Sequence, residues 1–473
     1  MNSVSEGLDD IGAAVAARIA IEQQLLPPPD PVEPGDEITS EFIRECLGNN
    51  EVGDGTLYAN LHRDKYVYVK KNQEWLHFSG HYWEQDIYDL HLRAVGSVAD
   101  CYSEEAVRLK LPISRLQAEE KELTAQISAC ESRAKELLNS SKSAEPGATT
   151  TEISAINDEI VSLKNRRMNI LNEIASCGLA KKALERRVDR LKGKRGADNC
   201  VYWAHIVDNP LAISGDELDQ HPLLLPCANG VVNLQTGELR PGKPSDWLSK
   251  GVPIDYLGFD TPAPAWDGFM HSLFEDDVVE FVQELFGYCA SGLTLEQFIA
   301  VHVGKGRNGK GVLFEMLEQA MGPLYWTVQS EILLDNKTSR SSSSASPDIL
   351  ALRGRRLAAA SETDQGRRIS AARVKELTGS DTLNARLLYD KADTNFRPTH
   401  KLHLRTNEVP AGLTKDFALR ERLIYLKYRY MFVDDPEQKA KEDPNNAEHY
   451  RLKDRWLKER LGKELPGILA WLV

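Results

Sequence analysis

The 473-residue sequence has no long apolar run and no closely spaced pair of cysteines. No segment approaches the roughly 18 consecutive apolar residues of a membrane-spanning helix. The first residues, MNSVSEGLDD, lack the basic and then apolar order of a signal peptide. The seven cysteines include no C-x-x-C pair, which excludes the usual zinc-ribbon and disulfide frameworks. These absences predict a globular protein of the cytoplasm with no membrane partner.

The chain also lacks a general excess of basic charge. Its net charge of -13 excludes a surface that is basic all over, the simplest sign of nucleic-acid binding. Residues 366–430 differ from the rest, because they contain 14 lysines and arginines against 7 acidic residues. This basic segment either lines a groove for a polyanion or forms a solvated basic face.

Changes in composition along the sequence predict several domains, as expected for a chain of this length. Residues 1–38 contain the proline-rich stretch LPPPDPVEPGDE and are predicted to be a lead and a linker. Residues 39–103 and 196–265 contain short strand-like runs and hairpin-turn signals, and they are predicted to form one small α/β domain. Residues 104–195 interrupt this domain, and residues 266–473 contain the chemical motifs described next.

Residues 104–195 are predicted to form an antiparallel helical hairpin, or coiled coil. Two long charged arms without proline flank the turn-like sequence SSKSAEPGATT. In the second arm, apolar residues follow the three-four spacing of a coiled-coil seam, which Arg167 interrupts. The seam residues are Ile153, Ile156, Ile160, Leu163, Ile170, Ile174 and Cys177. The hairpin is either a partner-binding arm or a spacer that closes on its own seam.

Residues 303–314, VGKGRNGKGVLF, contain the phosphate-loop pattern G-x-x-x-x-G-K. An apolar run, FIAVHV, precedes the loop and a helix-like segment follows it, so that backbone N–H groups, a helix N-terminus and Lys310 would face a phosphate. The position after Lys310, where a Ser or Thr hydroxyl usually contacts Mg²⁺, is Gly311. The predicted ATP-binding residues are Gly304, Lys305, Gly306, Arg307, Asn308, Gly309, Lys310, Gly311 and Val312.

Polar side chains also follow two other strand-like runs. Glu362 and Asp364 follow the small apolar run in RRLAAASETD, where an acid could hold Mg²⁺ and polarise water. Asn407 ends the run KLHLRTN, where its amide could contact the attacking water or the γ-phosphate. Alone, each of these residues would more often be a cap, a turn or a surface residue.

The ordered motifs GKGRNGKG, RLAAASETDQG, VKELTGSDTLNARLLY and KLHLRTNEVP, with LRERLIYLKY after them, resemble the superfamily 3 helicase core of phage and plasmid primase-helicases. The resemblance covers residues 222–473, and WLHFSGHYWEQD resembles the domain that precedes this core. It implies an α/β fold with an AAA+ P-loop core, preceded by a small α/β domain that carries the coiled-coil insertion. Gly304, Gly309 and Lys310 would then form Walker A.

The resemblance also implies roles for residues beyond the loop. Glu362 would be the Walker B acid, with Asp364 as a second carboxylate, and both are the predicted metal ligands. Asn407 would be sensor 1. Arg422 would act in trans on the nucleotide of a neighbouring subunit, and Arg420 is its competitor for that role. The predicted catalytic residues are Lys310, Glu362, Asn407 and Arg422.

DNA contacts are implied between the Walker B acid and sensor 1. The segment from Lys375 to Arg386 corresponds to an extra family motif, followed by a hairpin that projects into the channel of a ring. Lys391 lies near the tip of that hairpin, and Lys375, Arg386 and Lys391 are the predicted DNA-binding residues. Such contacts to the phosphate backbone are independent of sequence and sensitive to salt. The alternative for Lys391 is an ordinary turn lysine.

The implied activity is that of a ring-forming helicase or translocase that depends on ATP and Mg²⁺. It would act as a homohexamer on single-stranded or forked DNA during phage, plasmid or mobile-element replication, in the cytoplasm of a bacterial host or infected cell. A separate primase or other replication protein is an expected partner. The chain shows no paired-carboxylate motif with a supporting histidine, so primase catalysis is not predicted. Because Gly311 lacks a hydroxyl, Mg²⁺ would be held through water. The alternative is a non-catalytic NTP-binding scaffold that recruits partners through the helical hairpin.

Overall fold

The computed structural model describes residues 38–140, 148–333, 346–361, 369–386, 394–409 and 417–473. Backbone contacts divide the chain into two compact units. The first contains the described residues of 32–68 together with 86–212. The second contains residues 69–85 and the described residues from 213 to 473.

The first unit is mainly helical. Its helices are α1 (Ser40–Gly48), α2 (Asn50–Leu61), α3 (Leu90–Arg93), α4 (Val95–Arg108), α5 (Lys110–Ser140), α6 (Ala148–Leu191) and α7 (Lys194–Ala204). Thr39 caps α1, because its hydroxyl accepts a hydrogen bond from the Phe42 amide at 3.1 Å. The fully buried Glu105 of α4 lies 2.7 Å from the guanidinium of Arg44 on α1 and so joins the two helices.

Helices α5 and α6 pack along each other as a long hairpin. Ile156, Ile160 and Ile170 of α6 are buried, as are Leu123 and Ile127 of α5. These residues form the narrow apolar seam that holds the two helices together.

Ion pairs flank the seam of the hairpin. Arg167, which interrupts the heptad pattern, donates a hydrogen bond from Nε to Oε1 of Glu120 at 2.6 Å. Lys164 pairs with Glu131 in a similar way, at 2.7 Å. The charged interruption in the seam therefore has a partner across the hairpin.

Helix α6 packs onto α4 within the first unit, and its last turns also bond to residues of α2. Leu184, Val188 and Leu191 are buried there. Arg187 donates to the buried carboxylate of Asp54 at 2.9 Å, and Asp54 also accepts a hydrogen bond from Tyr102. The structure therefore differs from the expected boundary of the hairpin at 104–195, because the end of α6 is part of the core of the unit.

The second unit is organised around a five-stranded parallel sheet. Its strands are β8 (Ile299–Val303), β9 (Tyr325–Val328), β10 (Leu357–Ser361), β13 (Lys401–Thr406) and β14 (Leu423–Lys427). They lie in the order β14, β8, β13, β10, β9, and Leu404 of β13 is aligned with Val301 of β8 and Ala360 of β10. The expected α/β class with a parallel sheet is confirmed.

Helices cover both faces of this sheet. One face packs against α8 (Pro264–Leu273), α9 (Asp276–Ala290), α10 (Lys310–Met321), α15 (Leu457–Lys463) and α16 (Leu465–Leu472), and the other against α11 (Pro347–Leu350), α12 (Ala371–Thr378) and α13 (Phe417–Arg420). Phe286 and Phe314 are central to the first core, and Val374 and Leu404 to the second. Because strand side chains alternate between faces, β8 and β10 each contribute to both cores.

Shorter elements complete the described chain. They are β1 (Tyr66–Val69), β2 (Glu74–Phe78), β3 (Trp83–Gln85), β4 (Ala212–Ile213), β5 (Leu224–Cys227), β6 (Gly230–Asn233), β7 (Glu238–Arg240), β11 (Leu383–Ala385), β12 (Thr394–Phe396), β15 (Met431–Val433), α14 (Pro436–Glu442) and β16 (Tyr450–Leu452). Strands β5, β6 and β7 form an antiparallel sheet, β11 pairs antiparallel with β12, and β15 pairs parallel with β16. Across the described part of the chain, no helix combines the length and apolar character that a membrane crossing requires.

Candidate nucleotide-binding site

The glycine-rich loop joins the carboxyl end of β8 to the start of α10. Gly309, the last loop residue, has a φ of +80°. A Cβ atom at this position would lie 2.4 Å from Cδ2 of Leu273. The positive φ therefore favours glycine at the point where the loop becomes a helix, and a Cβ there would also displace the Leu273 methyl group.

The side chain of Lys310 bonds the glycine loop to the neighbouring strand β13. Its ammonium donates to the carbonyl oxygens of Gly304 at 2.6 Å and Thr406 at 2.5 Å, so it joins the start of the loop to the end of β13. The side chain is buried. Burial, with a smaller contribution from the charge of Arg405, lowers the pKa of the Lys310 ammonium to about 8. With three hydrogens on the ammonium, one is left to reach an anion in the loop.

Asn308 supplies a second buried polar group to the loop. Its Oδ1 accepts a long hydrogen bond from the Lys310 amide at 3.4 Å. Its Nδ2 is buried and has no hydrogen-bond partner among the described residues. A Cβ on Gly304 would lie 2.3 Å from this nitrogen, so glycine at 304 makes the room that Asn308 occupies. A buried donor without a partner is costly and suits a loop that binds an anion.

Gly311 is exposed on the first turn of α10. A Cβ atom built there meets no atom within 4 Å outside its own helix backbone and chain neighbours. The structure therefore has space for the serine or threonine side chain that this sequence lacks.

A cavity of about 660 Å³ lies beside the loop. Phe269 of α8, Val312 of α10, Phe432 of β15 and Leu457 of α15 contribute apolar surface to it. The Phe432 amide donates to the carbonyl of loop residue Arg307 at 2.8 Å, which joins β15 directly to the loop. The cavity is within the usual size range of small-molecule sites, about 300–1,000 Å³.

Three of the basic side chains at the rim of this cavity form ion pairs. Arg455 pairs with Asp434 at 3.3 Å, and Arg460 pairs with Asp454. Lys458 pairs with Glu315 of α10. The polar rim therefore surrounds an apolar interior that could take a flat ring system.

The predicted sensor lies next to the loop. Asn407 directly follows β13 and is exposed, one residue after the carbonyl of Thr406 that accepts from Lys310. Glu362 and Asp364 follow Ser361, the last residue of β10, but both lie outside the described residues. Within the described residues, no group of three histidine, cysteine or acidic side chains is arranged to hold a metal.

The two candidate arginines differ in their surroundings. Arg422 donates to the Lys375 carbonyl and the Thr378 hydroxyl, both at 3.0 Å, and to the side chain of Gln297 at 2.5 Å. It precedes the first residue of β14, at the amino end of the sheet, away from the glycine loop. Arg420 is exposed, with its guanidinium 5.5 Å from the ring centre of Phe417.

The structure describes two of the three predicted DNA-contact residues. Lys375 lies half-buried on α12, and Arg386 follows β11 with its amide 3.3 Å from the Ser346 hydroxyl. Strands β11 and β12 pair antiparallel around residues 386–393. Lys391 falls in the part of this segment that lies outside the described residues.

The sequence interpretation missed the polar face of β13. Arg405 lies half-buried, 5.1 Å from the ring centre of Phe314, and its Nε is buried with no partner among the described residues. His403 precedes it on the same face and is fully buried. The alternation of polar and apolar residues in KLHLRT was the available signal, because alternate residues of a strand share a face.

Comparisons with known proteins point to helicase-like relatives. Residues 55–275 match the family model described as D5 N terminal like. The chain is 30% identical over 255 residues to "Putative helicase L207/L206" of Acanthamoeba polyphaga mimivirus, an alignment that covers 53% of this chain and 26% of that protein. It is 26% identical over 324 residues to "Putative helicase 022R" of Frog virus 3, covering 54% of this chain and 33% of that protein.

A longer alignment joins the chain to "Putative helicase 184R" of Invertebrate iridescent virus 6. It is 22% identical over 432 residues and covers 88% of this chain and 41% of that protein. The chain thus spans between about a quarter and two fifths of these three relatives. All three relatives come from viruses. Among solved structures, the apo C-terminal region of NrS-1 aligns with a TM-score of 0.32 and 13% identity over 44% of this chain and 45% of that one.

Proposed function

We propose that this chain is an ATP-dependent DNA helicase or translocase of the superfamily 3, AAA+ type, which acts in viral or mobile-element DNA replication. The observation that carries this proposal is the glycine loop closed by Lys310 at the carboxyl end of β8, with an apolar cavity beside it. Ligands of open α/β sheets bind at this end of the strands. Similarity to three viral proteins named as helicases supports the same conclusion.

Two regions of the site would hold the nucleotide. Its phosphates would lie against the backbone N–H groups of the loop and the N-terminus of α10, where the free hydrogen of Lys310 and the unpaired Nδ2 of Asn308 add donors. Its base would enter the cavity lined by Phe269 and Phe432. The hydrogen bond from Phe432 to Arg307 would then couple base binding to the shape of the loop.

Mg²⁺ would neutralise charge on the β- and γ-phosphates when bound. Glu362 and Asp364 are the proposed protein ligands, since they follow β10, which lies one strand away from β8 across β13. The open space at Gly311 would admit a water in place of the missing hydroxyl. This arrangement suits an ion that keeps most of its waters.

A homohexameric ring would complete the site with an arginine from a neighbouring subunit. Arg422 would have to release three hydrogen bonds within its own chain to reach a neighbour. Arg420 is exposed and has no such cost. Both arginines stay candidates for the trans role, and the geometry favours Arg420.

DNA would pass through the ring along the β11–β12 hairpin. Lys375, Arg386 and Lys391 are the proposed backbone contacts, and a separate primase or another replication protein is a proposed partner. Each backbone phosphate neutralised by a lysine or arginine releases counterions, so binding would weaken as salt rises.

A scaffold function is the second candidate. It is favoured by Gly311 and by the outer face of α6, where Val161 is 57% exposed and Met168 is 58% exposed. In this case the chain would bind ATP without turnover, and the α5–α6 hairpin would recruit a partner protein.

A strand-displacement assay on a labelled DNA fork, run beside ATP hydrolysis with and without single-stranded DNA, separates the two functions. A motor should displace the strand only with ATP and Mg²⁺, and DNA should stimulate its hydrolysis. ATP binding without hydrolysis or displacement, under any DNA condition, would instead support the scaffold.

A further inference from the structure

Behind the glycine loop, a row of polar side chains is buried where the sheet meets its helices. Lys401, His403 and Arg405 share one face of β13, the face that α9 and α10 cover. Lys401 donates from Nζ to the backbone carbonyl oxygens of Ser291 and Leu293. Buried polar groups of this kind are expected to be fully hydrogen-bonded, so their partners define a network.

Four of the buried side chains form a continuous line of contacts. Sγ of Cys289, on α9, is 3.1 Å from Nε2 of His403. Nδ1 of His403 is 3.0 Å from Nε2 of His302, on β8. Nδ1 of His302 is 2.9 Å from the hydroxyl of Tyr428, which follows β14. All four residues are at most 5% exposed, and the ring of Phe286 stacks on both imidazoles.

Both histidines are neutral in this environment. Burial lowers the pKa of His302, and the nearby charges of Lys310 and Arg405 lower it further. Burial and the charge of Lys401 lower the pKa of His403 to about 3. The polar groups that face the pair on α9 and after β14 are a thiol and a phenol, whose burial raises their pKa values, so they too are neutral.

Counting hydrogens gives the chain of contacts a direction. A neutral imidazole carries one N–H, and the thiol and the phenol carry one hydrogen each, so four hydrogens serve three contacts. If Cys289 donated to His403, the unused hydrogen would be the buried Tyr428 hydroxyl, a strong donor that is costly to leave unpaired. If Tyr428 donates to His302, the unused hydrogen belongs to the thiol, which is a weak donor. The second arrangement is therefore favoured.

Tyr428 connects this line to the nucleotide site. Its amide donates to the carbonyl of Val303, the last residue before the loop, at 2.8 Å. Its ring centre lies 6.0 Å from Nζ of Lys310. A Cβ on Gly304 would lie 2.9 Å from the Cβ of Tyr428. The loop therefore begins in direct contact with Tyr428.

We propose that Tyr428, His302, His403 and Cys289 form one directional hydrogen-bonded chain, from Tyr428 as first donor to Cys289 as final acceptor, that positions the glycine loop for nucleotide binding. All four are positioning residues, and none contacts the nucleotide. The inference rests on the proposed nucleotide site. Its consequence is that Cys289, at the end of the chain remote from Lys310, influences the affinity for ATP.

Nitrogen NMR on the full-length protein, with ¹⁵N-labelled histidine, tests the chain without any nucleotide. Signals of His302 and His403 are assigned from the variants His302→Gln and His403→Gln. Near pH 7.5 both residues should be neutral and carry their hydrogen on Nε2. A doubly protonated imidazole, or a hydrogen on Nδ1 of either residue, would overturn the assigned direction.

ATP affinity tests the positioning role. Cys289→Ala and Tyr428→Phe should each raise the Kd for ATP about fivefold to tenfold, by analogy with coupling through packed networks. The double variant should be no weaker than either single variant, because one break already ends the chain. Cys289→Ser, which restores an acceptor, should return the Kd to within about twofold of the wild-type value.

His400→Gln is the matched control. His400, which directly precedes β13, is also buried, but it contacts the Leu377 carbonyl at 3.1 Å and none of the four residues of the hydrogen-bonded chain. Its substitution should lower thermal stability without changing the Kd for ATP. The positioning role is refuted if Cys289→Ala changes only thermal stability, or if His400→Gln weakens ATP binding equally. If the wild-type protein does not bind ATP, the proposed nucleotide site fails, and the NMR result still decides whether the chain exists.

Discussion

Whether the protein still folds after the α5–α6 hairpin is shortened should depend on which residues are removed. Replacing residues 117–171 with a Gly/Ser linker removes the extended part of the hairpin and keeps the last turns of α6. Replacing residues 114–192 also removes Leu184, Arg187, Val188 and Leu191, which lie in the core of the first unit. We expect the first variant to fold and the second to fail.

The size of the difference follows from what the longer deletion exposes. Three buried apolar side chains contribute about 2 kcal/mol each, or about 6 kcal/mol together. Losing Arg187 leaves Asp54 buried without its cation, which costs about 3–5 kcal/mol. The sum is comparable to the whole stability of an ordinary domain, about 5–15 kcal/mol. The shorter deletion removes none of these contacts.

Circular dichroism during heating, combined with size-exclusion chromatography, measures the outcome. The 117–171 variant should melt cooperatively, elute as a folded particle and bind ATP like the full chain. The 114–192 variant should be aggregated or melt far below the full chain. If the two variants melt within a few degrees of each other, the end of α6 is not part of the core.

Four further outcomes are expected. Gly309→Ala should weaken ATP binding, because alanine at a φ of +80° costs about 1–2 kcal/mol and its Cβ would displace the Leu273 methyl group, whereas Gly311→Ser should retain binding and preserve or tighten Mg²⁺ dependence, as titration calorimetry would show. Lys391→Ala should weaken single-stranded DNA binding for all sequences and reduce the salt dependence of binding, with ATP hydrolysis in the absence of DNA unchanged. If the variant binds DNA as tightly as the wild-type protein at several salt concentrations, Lys391 belongs to a surface turn. One of the two variants Arg420→Ala and Arg422→Ala should remove the arginine that acts in trans. That variant should still bind ATP but hydrolyse it about 10³-fold more slowly, and it should regain activity in confirmed mixed rings with Lys310→Ala protein. Acid should destabilise the chain, because burial lowers the pKa values of His62, His302, His400 and His403, which are neutral when folded and accept protons when unfolded. Their contribution to stability is full above about pH 6.5 and falls as pH drops below it, by up to about 1.4 kcal/mol per pH unit for each histidine, and a melting temperature that is flat from pH 7 to 5 would contradict this.

Several features of the fold were predictable because they depend on local pattern. The apolar runs FIAVHV and RRLAAAS form β8 and β10, and the glycine loop follows β8 as its spacing predicts. The heptad residues of α6 are buried or half-buried along the hairpin. Each of these signals lies within a short stretch of sequence, so no knowledge of distant contacts was needed.

Other features depend on residues that are far apart in the chain. The apolar cavity needs Phe432 beside Arg307, a contact across more than 120 positions that no local pattern predicts. The internal bonds of Arg422 need Gln297 and Thr378 from other elements. His302 and His403 look like isolated histidines until the parallel register of β8 and β13 places them together.

Steady-state hydrolysis by a matched pair of variants shows whether the loop around Lys310 hydrolyses ATP. Lys310 and Lys305 lie in the same loop, but Lys310 is buried and bonded to Gly304 and Thr406, whereas Lys305 is exposed. We expect Mg²⁺-dependent hydrolysis that single-stranded DNA stimulates in the wild-type chain and in Lys305→Ala, and none in Lys310→Ala. Hydrolysis that persists in Lys310→Ala, or a wild-type chain that shows none under any DNA condition, would show that this loop is not a hydrolytic site.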